Sequence, residues 1–219
     1  MTGRRETRKP KVILACSLPF SGEVGYVSSI VGIIVVALGL TKWLWVKRPK
    51  IKRRPLLLYV STGGTCRDPI AKAITLHLLG ALSNKIIIQS AGTLGEGGKR
   101  ATPAARQIVV DTLATDYLDK HHSVELNQEK IDEAALVLAM GKSNKEQILK
   151  NLERTEGKVF TIKEFLSKNG DIRDPFRGDD VSSVAALGRY RQTFHELYDL
   201  LKQDDNYQRI YRATIEGHR

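Results

Sequence analysis

The sequence predicts an α/β domain on a small, doubly wound parallel sheet of four strands with helices on both faces, preceded by one N-terminal transmembrane helix. Short apolar runs alternate with segments of helical period, which is typical of a parallel sheet covered on both sides. With 219 residues, the chain can form one well-buried domain plus an appendage. An uncharged run of 18 residues, from Val24 to Thr41, precedes the alternating pattern and predicts the appendage.

The predicted strands are short and mostly apolar, and each is followed by a segment with the 3.6-residue period of a helix. The strands are residues 56–60, 85–90, 134–140 and 158–161. The helices are about residues 68–82, 104–118, 143–152 and 184–203. This alternation favours parallel strands joined by helical crossovers.

The uncharged run continues through Trp43 and Trp45, so that residues 24–46 are predicted to span a membrane. About 20 apolar residues cross a hydrocarbon core of ~30 Å. Tyr26 at one end and the two tryptophans at the other are typical of interfacial aromatic residues. A buried core helix is the alternative, and a charge cluster directly after the run disfavours it.

That cluster, residues 47–55, is a basic linker, and positive charge beside a span marks its cytoplasmic side. We therefore predict a single-pass protein of the cell membrane with its folded domain in the cytoplasm. Cys16 and Cys66 suggest no disulfide framework, which fits a reducing compartment.

The net charge of +11 belongs almost entirely to the N-terminal segment. Residues 1–54 contain 12 Lys or Arg and 2 Glu, which leaves only +1 for residues 55–219. A nucleic-acid-binding domain would carry a basic face of its own. We therefore expect no nucleic-acid partner.

The residues from Val60 to Pro69, V-S-T-G-G-T-C-R-D-P, lie between the first predicted strand and its helix. A strand, a glycine-containing turn and a helix N-terminus can direct several backbone N–H groups at one anion. This segment is the candidate phosphate-binding site.

The segment resembles the phosphate-binding loop of the low-molecular-weight tyrosine phosphatases. Three further landmarks occur in the order of that family: S-A-G-T at Ser90–Thr93, L-V-L-A-M at Leu136–Met140 and D-P-F at Asp174–Phe176. The resemblance covers most of residues 55–201 and implies that family's fold. Arsenate reductases of the same fold share the loop pattern and remain an alternative.

The resemblance implies a role for each site residue. Ser61 stands where the family has its nucleophilic cysteine, Arg67 matches the arginine that grips phosphate, and Asp174 matches the general acid. The anion-binding loop comprises Thr62, Gly63, Gly64, Thr65, Cys66, Arg67 and Asp68. Gly64 replaces a family asparagine and tolerates a left-handed conformation.

Ser61 has no His or Lys beside it in the sequence, so we expect its hydroxyl to stay protonated. Asp68 stands where the family has Ser or Thr, and it could cap the following helix and pair with Arg67. It would also repel a phosphate dianion, since two charges ~4 Å apart interact by about 4 kcal/mol at a dielectric of 20. Cys66 matches the family's second cysteine and is expected to be a small packed residue.

His121 and His122 are adjacent, and no Cys or acidic residue is spaced to complete a metal site with them. His121 resembles a histidine that the family holds outside its catalytic set. We expect no metal and no cofactor.

These observations favour a membrane-anchored pseudophosphatase that acts by binding or scaffolding a protein partner, with at most a weak phosphate or phosphotyrosine ligand. The alternatives are an active phosphatase or arsenate reductase with residual activity, and a deliberately inactivated form of an active enzyme. Gly64 and Asp68 disfavour the deliberately inactivated form, because inactivation by design would leave both positions unchanged. The predicted divisions are a basic tail at 1–23, the span at 24–46, the linker at 47–55, the phosphatase-like domain at 56–201 and a C-terminal tail at 202–219.

Overall fold

The computed structural model describes residues 53–95, 97–178 and 184–218. Its strands are β1 (Leu56–Ser61), β2 (Ile87–Gly92), β3 (Val124–Glu125), β4 (Ala134–Ala139) and β5 (Val159–Thr161). They form one parallel sheet in the order β3-β2-β1-β4-β5. The predicted count of four strands was therefore wrong. The fifth strand, β3, has two residues, too few to show any periodicity in the sequence.

Seven α-helices connect or follow these strands in the described part of the chain. They are α1 (Arg67–Leu79), α2 (Pro103–Leu113), α3 (Gln128–Glu133), α4 (Lys142–Asn151), α5 (Ile162–Phe165), α6 (Val184–Lys202) and α7 (Asn206–Glu216). A 3₁₀ segment, Gly80–Lys85, lies between α1 and β2. It occupies the residues before Ile86, so that β2 begins two residues later than predicted.

The central strand β1 is buried on both faces, as its unbroken apolar sequence predicts. Leu57 and Tyr59 pack into the larger hydrophobic cluster with α1, α2 and α6, while Leu58 faces a smaller cluster on the other side. The smaller cluster includes Ile131 of α3 and Ile148 of α4. Helices therefore cover both faces of the sheet.

The strand order reverses at β1, because the chain runs outward to β2 and β3 and then returns to β4. In open parallel sheets, the crevice beyond the carboxyl ends of the strands at such a reversal is the usual ligand site. The segment after β1, residues 62–66, lies at this position.

The residues predicted as a C-terminal tail contain α7, which packs on the domain through buried Ile210 and Thr214. The 3₁₀ turn Gln203–Asp205 joins it to α6. The predicted membrane span, residues 24–46, lies outside the described residues. Among the helices that the structure describes, none is both long and apolar enough to cross a bilayer.

Candidate phosphate-binding site

The loop after β1 is held from outside through its carbonyl oxygens. The N–H groups of Thr93 and Leu94 donate to the carbonyls of Ser61 and Thr62, both at 2.9 Å. The N–H of Thr102 donates to the carbonyl of Thr65, also at 2.9 Å. Neighbouring segments therefore satisfy three carbonyl oxygens of the loop and hold it in place.

Glycine is required where this loop meets the end of β2. Gly64 has φ of +70°, the left-handed conformation predicted for it. A Cβ on Gly92 would lie 2.8 Å from the carbonyl carbon of Gly63, and one on Gly95 would lie 2.6 Å from the Gly63 carbonyl oxygen. Two backbone segments are therefore in direct contact, and side chains at these positions would displace the loop.

His121 supports the loop through a hydrogen bond to its main chain. Its Nε2–H donates to the carbonyl of Gly64 at 3.1 Å. Burial lowers the pKa of this histidine to about 4, so the ring is neutral at physiological pH. Among the described residues, no group of three or more His, Cys, Asp or Glu side chains could hold a metal ion.

Ser61 and Asp68 form a hydrogen-bonded pair at the bottom of the loop. The Ser61 hydroxyl donates to Oδ1 of Asp68 at 2.6 Å, and the N–H of Gly64 donates to Ser61 Oγ at 3.3 Å. Both side chains are buried. The expectation that Ser61 has no adjacent base was therefore wrong, because α1 brings a carboxylate seven residues away into contact with its hydroxyl.

Asp68 is fully buried, and burial raises the pKa of its carboxyl group to about 7, although the Ser61 hydroxyl opposes this. The predicted cap and the predicted pair with Arg67 are both wrong. Cys66 is the N-cap residue of α1, and no side chain caps that helix end. Asp68 lies in the first helical turn, from which its carboxylate is directed towards Ser61.

Arg67 forms its ion pair with Asp174 instead. Its Nη2 lies 2.6 Å from Oδ2 of Asp174, and the Arg67 side chain is nearly buried while that of Asp174 is 45% exposed. Longer bonds of 3.4 Å join Arg67 to the carbonyl of Ile172 and to Oγ1 of Thr62. The predicted general-acid position and the predicted phosphate-gripping arginine are thus together, but each neutralises the other.

Cys66 is half-buried, and burial raises the pKa of its thiol well above the ordinary range. A thiol that holds its proton is a poor nucleophile. The structure therefore supports the sequence interpretation of Cys66 as a packed residue.

The loop forms one wall of a cavity of about 420 Å³. Ser61, Arg67 and Asp174 line it together with the loop residues Thr62, Gly63, Thr65 and Cys66. Leu94 and Phe176 also line it and are 72% and 57% exposed. An apolar rim above a polar floor suits a side chain with an apolar stem and a charged end.

Sequence reasoning missed two residues that hold this site together. Asn144 of α4 donates from Nδ2 to Oγ1 of Thr62 at 3.1 Å. Arg189 of α6 donates from Nε to the carbonyl of Pro175 at 2.9 Å, which fixes the segment that carries Asp174. Both residues lie on helices remote in sequence, and neither belongs to a recognisable motif.

A parallel α/β sheet with a glycine-containing loop at its switch point, an arginine in that loop and an aspartate opposite it is the arrangement of a phosphatase-like protein. The sequence pattern of the family described as low molecular weight phosphotyrosine protein phosphatase matches residues 56–207. The chain belongs to this family.

Similar proteins support this assignment. The protein-arginine-phosphatase of Bacillus subtilis (strain 168) is 34% identical over 149 residues, which are 67% of this chain and 92% of that protein. The solved structure of the YwlE arginine phosphatase from Geobacillus stearothermophilus is 30% identical with a TM-score of 0.61, covering 75% of this chain and 98% of that one. A YwlE arginine phosphatase structure with a Cys-to-Ser mutation and a phosphorylated active-site serine is 32% identical with a TM-score of 0.58, covering 69% and 99%.

Proposed function

We propose that this chain is a pseudophosphatase, which binds a phosphorylated side chain of a protein partner without sustained hydrolysis. One observation carries this proposal: Arg67 is paired with Asp174 at 2.6 Å within the chain itself. A phosphate must displace Asp174 before the arginine can grip it, so ground-state binding is weak. Binding or scaffolding of the partner is then the main role of the domain.

Ser61 takes the position of the family's nucleophile in this proposal. It is the last residue of β1, it lines the cavity, and its Oγ accepts a hydrogen bond from the N–H of Gly64. The related arginine phosphatase with a serine in place of a cysteine carries a phosphorylated active-site serine. This supports Ser61 as the group that faces phosphorus.

The names of the relatives suggest the phosphorylated residue. Two of them, 34% and 35% identical, are protein-arginine-phosphatases, so that phosphoarginine is the first ligand to test. Phosphotyrosine is the second, because relatives of 27–31% identity are protein-tyrosine-phosphatases. The apolar rim formed by Leu94 and Phe176 suits the methylene stem of phosphoarginine and the ring of phosphotyrosine.

An active phosphatase or arsenate reductase with residual activity is the second candidate. The hydrogen bond from Ser61 to Asp68 favours it, since a carboxylate beside a hydroxyl can act as a base. Sustained release of product from an aryl phosphate, lost in Ser61→Ala, would select this candidate.

The ion pair between Arg67 and Asp174 leads to a prediction about anion binding. We expect millimolar phosphate to leave the melting temperature of the unmodified protein nearly unchanged, and to raise it in Asp174→Asn, because that change frees Arg67. At 100 times the dissociation constant, a ligand adds about 2.7 kcal/mol, or roughly 5 °C or more for a domain of this size. Thermal scans with and without phosphate measure the difference.

Asp171→Asn is the matched control, because Asp171 lies in the same segment and accepts from the N–H of Lys142 rather than from Arg67. It should behave like the unmodified protein. Phosphate should raise the melting temperature of Asp68→Ser less than that of Asp174→Asn, because Asp68→Ser leaves the ion pair between Arg67 and Asp174 intact. Strong stabilisation of the unmodified protein by phosphate would replace the scaffold role with phosphate sensing.

We also propose that residues 24–46 anchor the protein in the cell membrane with the domain in the cytoplasm. The uncharged run and the adjoining basic cluster support this. The full chain should stay in the membrane fraction after a carbonate wash, while a variant that begins at residue 53 should not. Release of the full chain would refute the span, and protease digestion of the domain from outside intact cells would refute the orientation.

A further inference from the structure

Asp68 is placed to act on the hydroxyl of Ser61 and on nothing in the cavity. It is fully buried and lies behind Ser61, whereas Ser61 itself lines the cavity. The 2.6 Å separation of Ser61 Oγ and Asp68 Oδ1 is in the range of a charge-assisted O–H···O⁻ bond. Within the described residues, Oδ2 of Asp68 has no hydrogen-bond partner. A buried carboxyl group with one bare oxygen is costly for structure alone.

We propose that Asp68 accepts the Ser61 proton while Ser61 Oγ takes one phosphoryl group from a phosphorylated side chain, which the site then retains. Asp68 is the base and Ser61 is a phosphorylation site of this protein. The inference rests on the proposed function, since the same cavity must first receive the phosphorylated side chain.

The step balances without a further reactant. Ser61 Oγ forms a bond to phosphorus, and the bond from phosphorus to the nitrogen of phosphoarginine, or to the oxygen of phosphotyrosine, breaks. The hydroxyl proton passes to Oδ1 of Asp68, and the leaving group takes a proton from water, because Asp174 is ionised in its pair with Arg67. The products are a phosphoserine monoester and an unmodified arginine or tyrosine.

Transfer also removes an obstacle to phosphate in this site. An ionised Asp68 repels a phosphate dianion in the ground state, which weakens binding. As the carboxylate takes the proton its charge disappears, so the repulsion is smaller in the transition state than before it. A difference of that kind accelerates the chemical step.

Retention of the phosphoryl group follows from the same pair. For Ser61 to leave phosphorus, its oxygen must regain a proton, and Asp68 is the neighbouring donor. With a pKa of about 7, that carboxyl group is ionised in mildly alkaline solution and has no proton to return. Alkyl phosphate monoesters hydrolyse extremely slowly without catalysis. Formation of phosphoserine at Ser61 is thus favoured above pH 7, whereas release of its phosphoryl group is not.

The experiment incubates the full chain with two peptides, one containing phosphoarginine and one containing phosphotyrosine, and follows intact mass and peptide maps over time. We expect the addition of one phosphoryl group per chain, on Ser61, from at least one peptide. The rate should rise about tenfold per pH unit below pH 7 and level off above it, as for a single base. Absence of label on Ser61 with both peptides overturns the inference.

Variants separate the roles of the two residues. Ser61→Ala should abolish labelling and Asp68→Asn should slow it roughly 100-fold and flatten its pH dependence. Ser83→Ala, partly buried, and Asp111→Asn, exposed, are the matched controls and should label like the parent. An unchanged rate in Asp68→Asn overturns the role of Asp68. If that variant does not fold, a labelling rate of the unmodified chain that is independent of pH between 6 and 8 also overturns the role of Asp68.

Binding of the phosphorylated peptides to Ser61→Ala, measured by fluorescence anisotropy, distinguishes this inference from the proposed function. Binding without labelling of the parent refutes the inference and leaves the proposed function intact. Absence of binding to either form refutes the proposed function. Sustained release of inorganic phosphate refutes both the retention of the phosphoryl group and the proposal that the chain is a pseudophosphatase.

Discussion

Ser61→Cys combined with Asp68→Ser should hydrolyse an aryl phosphate with repeated turnover, whereas Ser61→Cys alone should not. In the single variant, the new thiolate would lie beside the carboxylate that now accepts from Ser61 at 2.6 Å. Two negative charges ~4 Å apart repel by about 4 kcal/mol at an effective dielectric of 20. That repulsion raises the thiol pKa by roughly 3 units and cuts the thiolate fraction by about 1000-fold.

A serine at position 68 removes this repulsion and supplies a hydroxyl that can donate to the thiolate. We therefore expect the double variant to exceed the single variant by two to three orders of magnitude in kcat/KM, because the single variant has far less thiolate. Steady-state release of product from an aryl phosphate measures the difference. Ser61→Ala with Asp68→Ser is the control, because it has the same residue 68 and no nucleophile. Equal rates in the single and double variants would show that Asp68 does not suppress thiol chemistry.

Asp68→Asn should stabilise the protein in mildly alkaline solution and lose that advantage in acid. In the folded state the pKa of Asp68 is about 7, whereas an exposed aspartate has a pKa near 4. Between these values the folded state binds the additional proton, so the free energy of unfolding falls as pH rises. The total loss is roughly 4 kcal/mol above pH 7, at 1.36 kcal/mol per pKa unit. Asparagine does not ionise and avoids this loss.

The charged and titratable groups around Asp68 do not reverse this direction. Arg67 and Lys72 lower its pKa, as does the bond from Ser61, but burial is the largest influence and raises it. The thiol of Cys66 is protonated and carries no charge near neutrality. The environment of Asp68 therefore favours its neutral form in the folded protein.

Urea unfolding at pH 5 and pH 8 tests the prediction, with the difference between Asp68→Asn and the unmodified protein taken at each pH. Taking that difference cancels His121, whose lowered pKa acts in the opposite direction by making stability rise with pH between about 4 and 6.5. Asp111→Asn, exposed on α2, should show the same difference at both pH values. A pH-independent difference for Asp68→Asn would mean that Asp68 is ionised throughout this range.

The sequence predicted the fold through its strongest periodic signals. The apolar runs of β1 and β4 and the long pattern of α6 are found within a residue or two of their predicted positions. The elements it missed lack such signals: β3 has two residues, α3 is almost wholly polar, and α5 has four residues. Helix α7 has a clear apolar face but lies beyond the segments that the alternating pattern organised.

The residues of the site were predictable, but their pairings were not. The loop, Arg67 and Asp174 were identified from motifs, and all of these residues except Gly64 and Asp68 line one cavity. The partner of each charge depends on side-chain direction, which differs between neighbouring positions of a helix. Arg67 and Asp68 are adjacent at the start of α1, so that one points across the cavity to Asp174 and the other points behind Ser61.

The backbone contacts between Gly63, Gly92 and Gly95 separate shape from chemistry in this domain. Because main chain rests on main chain, these contacts do not involve the side chains at positions 61 and 68. We therefore expect exchanges at those two positions to preserve them. Under the roles proposed for Ser61 and Asp68, a hydrolase, a one-turnover phosphoryl acceptor and a passive binder would differ at only two residues on a common frame, so that single substitutions would change the task of such a protein and leave its outline intact.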